Sequence, residues 1–182
     1  MAVTVLIGGA RSGKSALSIE IASRWRGGVT FIATGEPGDE EMASRIERHR
    51  AERNAEWTTI EEPIELAKAI ENAPEGDLVI LDCLTLWVSN LIGHEVDANE
   101  IEERAREAAA LVEPRETPTL VVTNEVGSGI VPVNASARTF RDLLGSVNST
   151  FAAIARDVLY VAAGRAVPMK RFDEVVSDVL DG

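Results

Sequence analysis

The fold of this chain is decided by the stretch Gly8-Gly9-Ala10-Arg11-Ser12-Gly13-Lys14-Ser15. It matches the phosphate-binding loop (P-loop) pattern G-x-x-x-x-G-K-[ST]. The apolar run at residues 3–7 predicts a short buried strand before the loop, and residues 16–25 predict a helix after it. In this strand–loop–helix order, backbone N–H groups and a helix N-terminus together hold a phosphate. The alternative is a glycine-rich turn that only joins a strand to a helix.

Each part of this stretch has a predicted role. Glycines let the backbone wrap closely around phosphate oxygens, because no Cβ stands in the way. Lys14 would reach the β- and γ-phosphates of a nucleoside triphosphate, and the Ser15 hydroxyl would ligate Mg²⁺. The motif therefore predicts a triphosphate ligand, but it leaves open what is done with that ligand.

Short apolar runs alternate with helix-like segments along the rest of the chain. Such runs predict strands covered on both faces, and the alternation predicts an α/β fold with a mostly parallel sheet and right-handed crossovers. The predicted strands cover residues 3–7, 29–33, 57–60, 77–82, 119–123 and 158–162. The predicted helices cover residues 16–25, 40–54, 64–72, 84–92, 99–111 and 135–156, the last with Gly145 as a weak point.

Composition narrows the classes of function. The 182 residues are 45% hydrophobic, which is enough for one core and a single domain over residues 1–182. The net charge of −12 argues against nucleic acid and anionic membranes as partners. We expect a cytoplasmic protein, since no basic leader starts the sequence and no apolar run nears the roughly 18 residues of a membrane span. The single cysteine, Cys83, excludes an internal disulfide and is expected to be a buried, unreactive thiol.

Polar residues follow five of the predicted strands. Ligands of open parallel sheets bind at the carboxyl ends of the strands, so these residues should converge on one site. The five segments are the loop at residues 8–15, Thr34-Gly35, Glu61-Glu62, Asp82-Cys83 and Asn124-Glu125-Val126-Gly127.

Two of these strand ends have open interpretations. Asp82 follows a hydrophobic run, as the carboxylate beside Mg²⁺ does in P-loop proteins, but it would equally cap the next helix. The segment that starts at Asn124 either touches substrate or forms a turn. The guanine-reading Asn-Lys-x-Asp element of GTPases is absent, which argues against a Ras-like switch.

His49 is one of two histidines in the chain. If its segment is helical, it shares one face with Met42, Ile46 and Arg53, and that face should turn toward the body of the protein. Arg45, His49 and Arg53 recur every four residues, so a neutral imidazole here could attack a phosphorus among cations. The alternative, which these residues alone favour, is a partly buried histidine bonded to a carboxylate, with the arginines solvated.

Together these residues resemble the bacterial adenosylcobinamide kinase / adenosylcobinamide-phosphate guanylyltransferase family. Its most specific blocks are Arg-Ile-x-x-His, which ends at His49, and Asn-Glu-Val-Gly-x-Gly-Ile-Val-Pro at residues 124–132. The resemblance spans nearly the whole chain in order. It also includes residues 8–15, 31–34, 39–42, 57, 81–87, 89–91, 138, 140–142, 145 and 148.

The resemblance implies a bifunctional enzyme of cobalamin biosynthesis and salvage. The kinase step moves the γ-phosphoryl group of ATP or GTP to adenosylcobinamide. The second step moves GMP from GTP onto adenosylcobinamide phosphate through a guanylylated histidine, which by motif position is His49. The product is adenosylcobinamide-GDP, and pyrophosphate leaves.

The resemblance also implies a RecA-like, three-layer αβα P-loop NTPase fold and a homo-oligomer, which is a trimer in some members. By motif position the catalytic residues are His49 and Lys14, and the Mg²⁺ ligands are Ser15 and Asp82. The implied nucleotide-binding residues are Gly8, Gly9, Ala10, Arg11, Ser12, Gly13, Lys14, Ser15, Ala33, Thr34, Gly35, Arg50, Ala51, Glu52, Arg53, Glu61 and Asp82.

Two other functions remain open on the sequence. One is a P-loop small-molecule kinase without guanylyl transfer, in which His49 is structural. The other is a nucleotide-gated binding module of the RecA-like ATPase kind. Such a module would carry basic residues that contact DNA, which this acidic chain lacks.

Overall fold

The computed structural model describes residues 2–38, 40–51 and 53–181. Its strands are β1 (Val3–Gly8), β2 (Val29–Ala33), β3 (Thr58–Glu61), β4 (Leu78–Asp82), β5 (Thr119–Asn124), β6 (Asp157–Ala162) and β7 (Arg165–Pro168). They form one sheet in the order β3-β2-β4-β5-β1-β6-β7. All neighbouring pairs are parallel except β6 and β7, which are antiparallel. The predicted α/β class and mostly parallel sheet are confirmed.

Helices connect the parallel strands. They are α1 (Lys14–Ser23), α2 (Glu40–Ala51), α3 (Leu66–Glu71), α4 (Leu84–Gly93), α5 (Ala98–Val112), α6 (Ala135–Ile154) and α7 (Phe172–Asp181). Within the described ranges, no helix combines the length and apolar composition that crossing a bilayer requires.

The sheet is covered on both faces, which gives the expected three layers. One face packs against apolar residues of α3, α4, α5 and α6, with Trp87 and Phe151 fully buried. The other face packs against α1 through Leu17, Ile21 and Ala22. This burial on both sides explains why the central strands are continuous apolar runs instead of alternating ones.

Three features differ from the sequence-based prediction. The helix predicted over residues 40–54 ends at Ala51, so Arg53 lies beyond it. The long helix runs through Gly145 without a break. Neither β7 nor α7 was predicted. Every residue of β7 is exposed, and none of α7 is buried among the described residues, so neither has the burial that shapes the other elements.

The turn between β6 and β7 supports the phosphate-binding loop. Ala163 and Gly164 have φ values of 51° and 72°, as a two-residue hairpin turn requires. The Gly164 N–H donates to the Ser12 carbonyl at 2.9 Å. A Cβ on Gly13 would lie 3.3 Å from Gly164 Cα, so the two backbones are in close contact.

Candidate active site

A cavity of about 470 Å³ opens at the carboxyl ends of the parallel strands. All five predicted strand-end segments contribute to it, as expected for an open α/β sheet. Its lining residues are Ala10, Arg11, Ser12, Gly13, Lys14, Ser15, Ala16, Ala33, Gly35, Glu41, Met42, Ile46, His49, Arg53, Glu61, Asp82, Cys83, Thr85, Leu86, Val122 and Asn124.

The backbone of the loop is shaped to bind an anion. Arg11 and Gly13 have φ values of 57° and 107°, and alternating left-handed residues turn successive N–H groups toward one concavity. Gly13 is also the N-cap of α1 and has no side chain to accept from the first N–H groups of the helix. These N–H groups can therefore donate hydrogen bonds to a phosphate at the helix N-terminus.

Lys14 is buried and ties the loop together. Its Nζ donates to the carbonyl oxygens of Gly8 at 2.9 Å and Gly9 at 2.7 Å, and to Ser12 Oγ at 3.3 Å. Burial lowers the pKa of the ammonium, although the charge of Asp82 acts in the opposite direction. A buried cation whose hydrogen-bond partners are all neutral is favourably placed to bind a phosphate.

Asp82, at the end of β4, faces the loop. Residues of β4 alternate between the two faces of the sheet. Leu78 and Ile80 pack on the face that α1 covers, so Asp82 lies on that face as well. Burial raises the pKa of its carboxyl group. His49, the Ser15 hydroxyl and the cations Arg53 and Lys14 oppose this rise without cancelling it.

The residues beside Asp82 form a fixed wall. Thr34 is fully buried, and its Oγ1 donates to the Cys83 carbonyl at 2.7 Å and accepts from the Cys83 N–H at 2.9 Å. Asn90 Nδ2 donates to the Thr34 carbonyl at 2.7 Å. The Asp82–Cys83 peptide is cis. Cys83 is partly exposed and lines the cavity, so the prediction that it is buried is wrong. Desolvation nevertheless raises the pKa of its thiol to about 12, in agreement with the predicted lack of reactivity.

Helix α2 carries His49 to the cavity. Met42, Ile46 and His49 line the cavity, as their helical spacing predicted. The helix packs against the segment that follows β2, since a Cβ on Gly35 would lie only 3.1 Å from Ile46 Cγ1. The helix that carries His49 is therefore in close contact with Gly35 through Ile46.

Arg53 is the most unusual side chain of the cavity. Its side chain is 7% exposed, and its guanidinium lies 4.3 Å from the centroid of the Phe31 ring. Its Nη1 is 3.9 Å from Glu61 Oε1, but Nε and Nη1 make no hydrogen bond with any described residue. Burial lowers the pKa of this arginine, opposed by Asp82 and Glu61. Buried, unsatisfied donors beside a cavity suit an anionic ligand.

Several residues implied by the resemblance lie away from the cavity wall. Gly8 and Gly9 lie behind the loop and offer their carbonyl groups to Lys14, and Thr34 lies behind the Asp82–Cys83 wall. Arg50 and Ala51 are exposed on α2. The Arg50 guanidinium binds Glu61, with Nε at 3.0 Å, and Glu47 at 2.8 Å. Glu52 and the Arg45 side chain lie outside the described part of the structure.

Some lining residues were missed from the sequence. Thr85, Leu86 and Val122 belong to the wall of the cavity. Val122 had a signal that could have found it, because alternation along β5 places it on the same side as Asn124. Thr85 and Leu86 lie in the block at residues 81–87 that carries the resemblance, but no local pattern assigned them to the site, because their place depends on how α4 starts after β4.

Comparison with known proteins finds a matching family, related enzymes and a solved structure of similar fold. The model of the cobinamide kinase / cobinamide phosphate guanyltransferase family matches residues 4–169. The bifunctional adenosylcobalamin biosynthesis protein CobP of Pseudomonas aeruginosa is 38% identical over 170 residues, which are 91% of this chain and 96% of CobP. CobU of Escherichia coli K12, of the same description, is 37% identical over 179 residues, with 91% and 98% covered. A solved structure from Pyrococcus horikoshii OT3 shares the fold with a TM-score of 0.56 at 10% identity, over 96% of this chain and 89% of that one.

Proposed function

Because the chain belongs to the cobinamide kinase / cobinamide phosphate guanyltransferase family, we propose that it catalyses both reactions in one cavity. Its mostly parallel sheet, with the phosphate-binding loop between β1 and α1, fits the RecA-like P-loop NTPase fold that the resemblance implies. In the first reaction it phosphorylates adenosylcobinamide with ATP or GTP. In the second it transfers GMP from GTP to adenosylcobinamide phosphate through a guanylylated His49. The observation that carries this proposal is that the phosphate-binding loop and His49 line the same cavity.

In the kinase step the protein positions the triphosphate and stabilises charge. The loop N–H groups and Lys14 hold the β- and γ-phosphates. The acceptor hydroxyl oxygen forms a bond to the γ-phosphorus, the bond from that phosphorus to the β-γ bridging oxygen breaks, and the hydroxyl proton is released. Because little covalent chemistry is asked of the protein, its contribution is position and charge.

Ser15 and Asp82 fit a magnesium site. A carboxylate and a hydroxyl beside a phosphate loop form the donor set that Mg²⁺ accepts, together with phosphate oxygens and water. The raised pKa of Asp82 is consistent with this, since a bound cation would offset the desolvation of its carboxylate. When bound, the ion would neutralise negative charge on the β- and γ-phosphates.

In the guanylyl step His49 acts as a nucleophile. A lone pair of its neutral imidazole forms an N–P bond to the α-phosphorus, the bond from that phosphorus to the bridging oxygen breaks, and pyrophosphate leaves. An oxygen of adenosylcobinamide phosphate then bonds to the same phosphorus, and the N–P bond breaks. This covalent intermediate divides one difficult displacement into two easier ones. The loop that holds the γ-phosphate in the first reaction holds the leaving group in the second.

The remaining nucleotide contacts are assigned to both sides of the cavity. Arg53 has unsatisfied donors that suit a phosphate of GTP, and Glu61 holds Arg50 beside it. Backbone groups near Ala33 and Gly35 complete the set, while Thr34 supports them from behind. The other assigned positions are Gly8, Gly9, Ala10, Arg11, Ser12, Gly13, Arg50, Ala51 and Glu52.

The experiment that tests this proposal follows label from GTP onto the protein. GTP labelled at its α-phosphate, with Mg²⁺, should leave acid-labile GMP on the wild type and none on His49→Ala. His94→Ala is the matched control, since His94 is the other histidine and lies on the surface against Glu36. His49→Ala should still phosphorylate adenosylcobinamide. Equal labelling of wild type and His49→Ala would refute the role of His49 as the nucleophile. Accumulation of adenosylcobinamide phosphate by wild type despite excess GTP would show that the protein has kinase activity only.

Self-association is the further part of the proposal. Residues Phe172, Val175, Val176, Val179 and Leu180 repeat at helical spacing along α7, and the structure buries none of them among the described residues. An exposed apolar stripe of this kind is typical of a protein interface. We therefore propose a homo-oligomer, with the trimer that the resemblance implies as its form, and light scattering after size exclusion would measure its mass.

The partners and location follow from the substrates. All strands of the described residues belong to one sheet, so the chain is proposed to act as one domain. Nucleoside triphosphates as substrates and a lone cysteine fit the cytoplasm, and a net charge of −12 argues against nucleic acid as a partner.

A further inference from the structure

Asn124 has no role in the reactions proposed above, although it lines the cavity. It ends β5, which lies between β4 with Asp82 and β1 with the loop. Its register partner on β1 is Gly8, the first residue of the loop. The next residue reinforces this pairing, because the Glu125 N–H donates to the Gly8 carbonyl at 3.1 Å. Asn124 therefore lies between the predicted metal ligand and the phosphate-binding loop.

Strand alternation places the Asn124 side chain on the same side of the sheet as Asp82. Leu120 and Val122 of β5 pack on the face of the sheet that α1 covers, and Val121 packs on the opposite face. Asn124 continues the first series, and α1 is the helix that starts at the loop. The carboxamide thus lies on the face of the sheet where the loop holds phosphates.

The backbone of Asn124 is fixed from two directions. Its N–H donates to Thr85 Oγ1 at 2.8 Å, and its carbonyl accepts from Asn148 Nδ2 at 3.0 Å. Asn148 is itself buried and accepts from Thr123 Oγ1 at 2.6 Å. In contrast, the Asn124 carboxamide makes no hydrogen bond with any described residue. A rigid backbone therefore presents a free amide group to the cavity.

Asn124 and His49 approach the cavity from opposite sides of Asp82. Helix α2, which carries His49, contacts the chain at the ends of β2 and β3, through Ile46 at Gly35 and Arg50 at Glu61. Both strands lie on one side of β4 in the sheet, whereas β5 lies on the other side. If His49 faces the α-phosphorus, as the proposed function requires, a triphosphate held along the loop has its γ-phosphate toward β5. The amide then meets the terminal phosphate.

We infer that the Asn124 carboxamide donates a hydrogen bond to the γ-phosphate of the bound nucleoside triphosphate and orients that group for transfer. The inference rests on the proposed function, because it takes the nucleotide orientation from the role of His49. The amide forms and breaks no covalent bond. It stabilises charge on the equatorial oxygens of the transferred group, which is where negative charge resides during phosphoryl transfer. Asn124 is therefore a catalytic residue of the kinase step, and Asn148 and Thr85 are positioning residues.

Calorimetric binding tests the inference without any corrinoid. Mg-ADP and a non-hydrolysable ATP analogue would be titrated into wild type and Asn124→Ala. The variant should bind the analogue on the order of 10- to 100-fold more weakly, as expected for a lost hydrogen bond to a charged group, and ADP within about threefold of wild type. Asn99→Ala, on the exposed start of α5, is the control and should bind both as wild type does.

A second variant separates contact from folding. The bonds from Thr85 and Asn148 are made to the backbone of Asn124, so Asn124→Asp keeps them and adds a charge that repels the γ-phosphate. It should weaken analogue binding at least as much as Asn124→Ala while the thermal midpoint stays at the wild-type value. The kcat of the kinase step should fall by a similar factor with an unchanged KM for adenosylcobinamide, and labelling of His49 by GTP should fall less.

The outcomes distinguish the inference from the proposed function. Equal weakening of ADP and analogue, or no weakening of either, in a folded Asn124→Asp protein would overturn the inference alone. Wild type could take no label on His49 while Asn124→Ala still weakens binding of the analogue and leaves binding of ADP nearly unchanged. That result would overturn the guanylyl step and leave the γ-phosphate contact standing. Absence of nucleotide binding in wild type would overturn both.

Discussion

Replacing Gly8 with alanine tests how tightly the loop is built into the sheet. A Cβ at Gly8 would lie 2.1 Å from the Val161 carbonyl oxygen of β6, whereas ordinary contact begins near 3.4 Å. The Val161 oxygen is a backbone atom of β6, and the added Cβ is rigidly attached to the backbone of β1, so the two strands must separate by roughly 1 Å. The neighbouring Gly9 is the matched control, because a Cβ there would have no described heavy atom within 4 Å.

The expected cost of Gly8→Ala follows from these contacts. Overpacking a buried position costs about 1–3 kcal/mol. A shift of Gly8 also disturbs its carbonyl, which accepts from Lys14 at 2.9 Å and from the Glu125 N–H at 3.1 Å, and each weakened bond adds about 1 kcal/mol. We expect a total loss of about 3 kcal/mol, or a fall in thermal midpoint of roughly 9 °C for a chain of this length.

Urea unfolding followed by tryptophan fluorescence and circular dichroism would measure both variants. Gly9→Ala should unfold within about 0.5 kcal/mol of wild type. Nucleotide affinity gives an independent measurement, since Gly8→Ala should also weaken binding by displacing Lys14. A free energy of unfolding for Gly8→Ala that equals that of Gly9→Ala would refute the claim that β6 is in close contact with the loop.

Two further predictions concern Asp82 and Cys83. Desolvation raises the pKa of Asp82 above its ordinary value of 3.8. The folded protein therefore holds this proton to higher pH than the unfolded chain does. As a result, the free energy of unfolding falls as pH rises from about 4 through the folded pKa. Asp82→Asn should therefore abolish both reactions, yet raise the thermal midpoint at neutral pH by about 3 °C. This gain should vanish at acid pH, where the carboxyl group is protonated in both states. A thermal midpoint below that of wild type at neutral pH would contradict this reasoning. Cys83, with a pKa of about 12, should react with iodoacetamide at pH 8 roughly 10³-fold more slowly in the folded protein than in urea. Equal rates by mass spectrometry would contradict the raised pKa of this thiol.

The sequence predicted most of the sheet because each central strand is a local apolar run. The five strands from β1 to β5 and the helices between them were found within about three residues of their bounds. The two elements that were missed, β7 and α7, lack this burial among the described residues. Their positions depend on contacts with the loop through Gly164 and on surfaces that the chain leaves exposed.

The site was less evenly predictable. Lys14 and Ser15 are defined by a contiguous motif, so their place relative to a helix N-terminus was evident from spacing. Arg53 was placed on a helical stripe with His49, but the helix ends before it, and its position over Phe31 comes from the fold. The residues around His49, taken alone, favour a structural histidine, and its role as a nucleophile is implied by the resemblance to a family.

What the sequence determined by itself was therefore the loop at residues 8–15, the parallel sheet and the edge at which ligands bind, because these depend on neighbours along the chain. The tertiary structure decided which polar residues share the cavity and from which side each approaches. Helix α2 brings His49 to the cavity while Ile46 packs against Gly35, and Asn124 meets the loop because β5 lies beside β1. Such contacts join residues far apart in sequence, and packing of the whole sheet sets them.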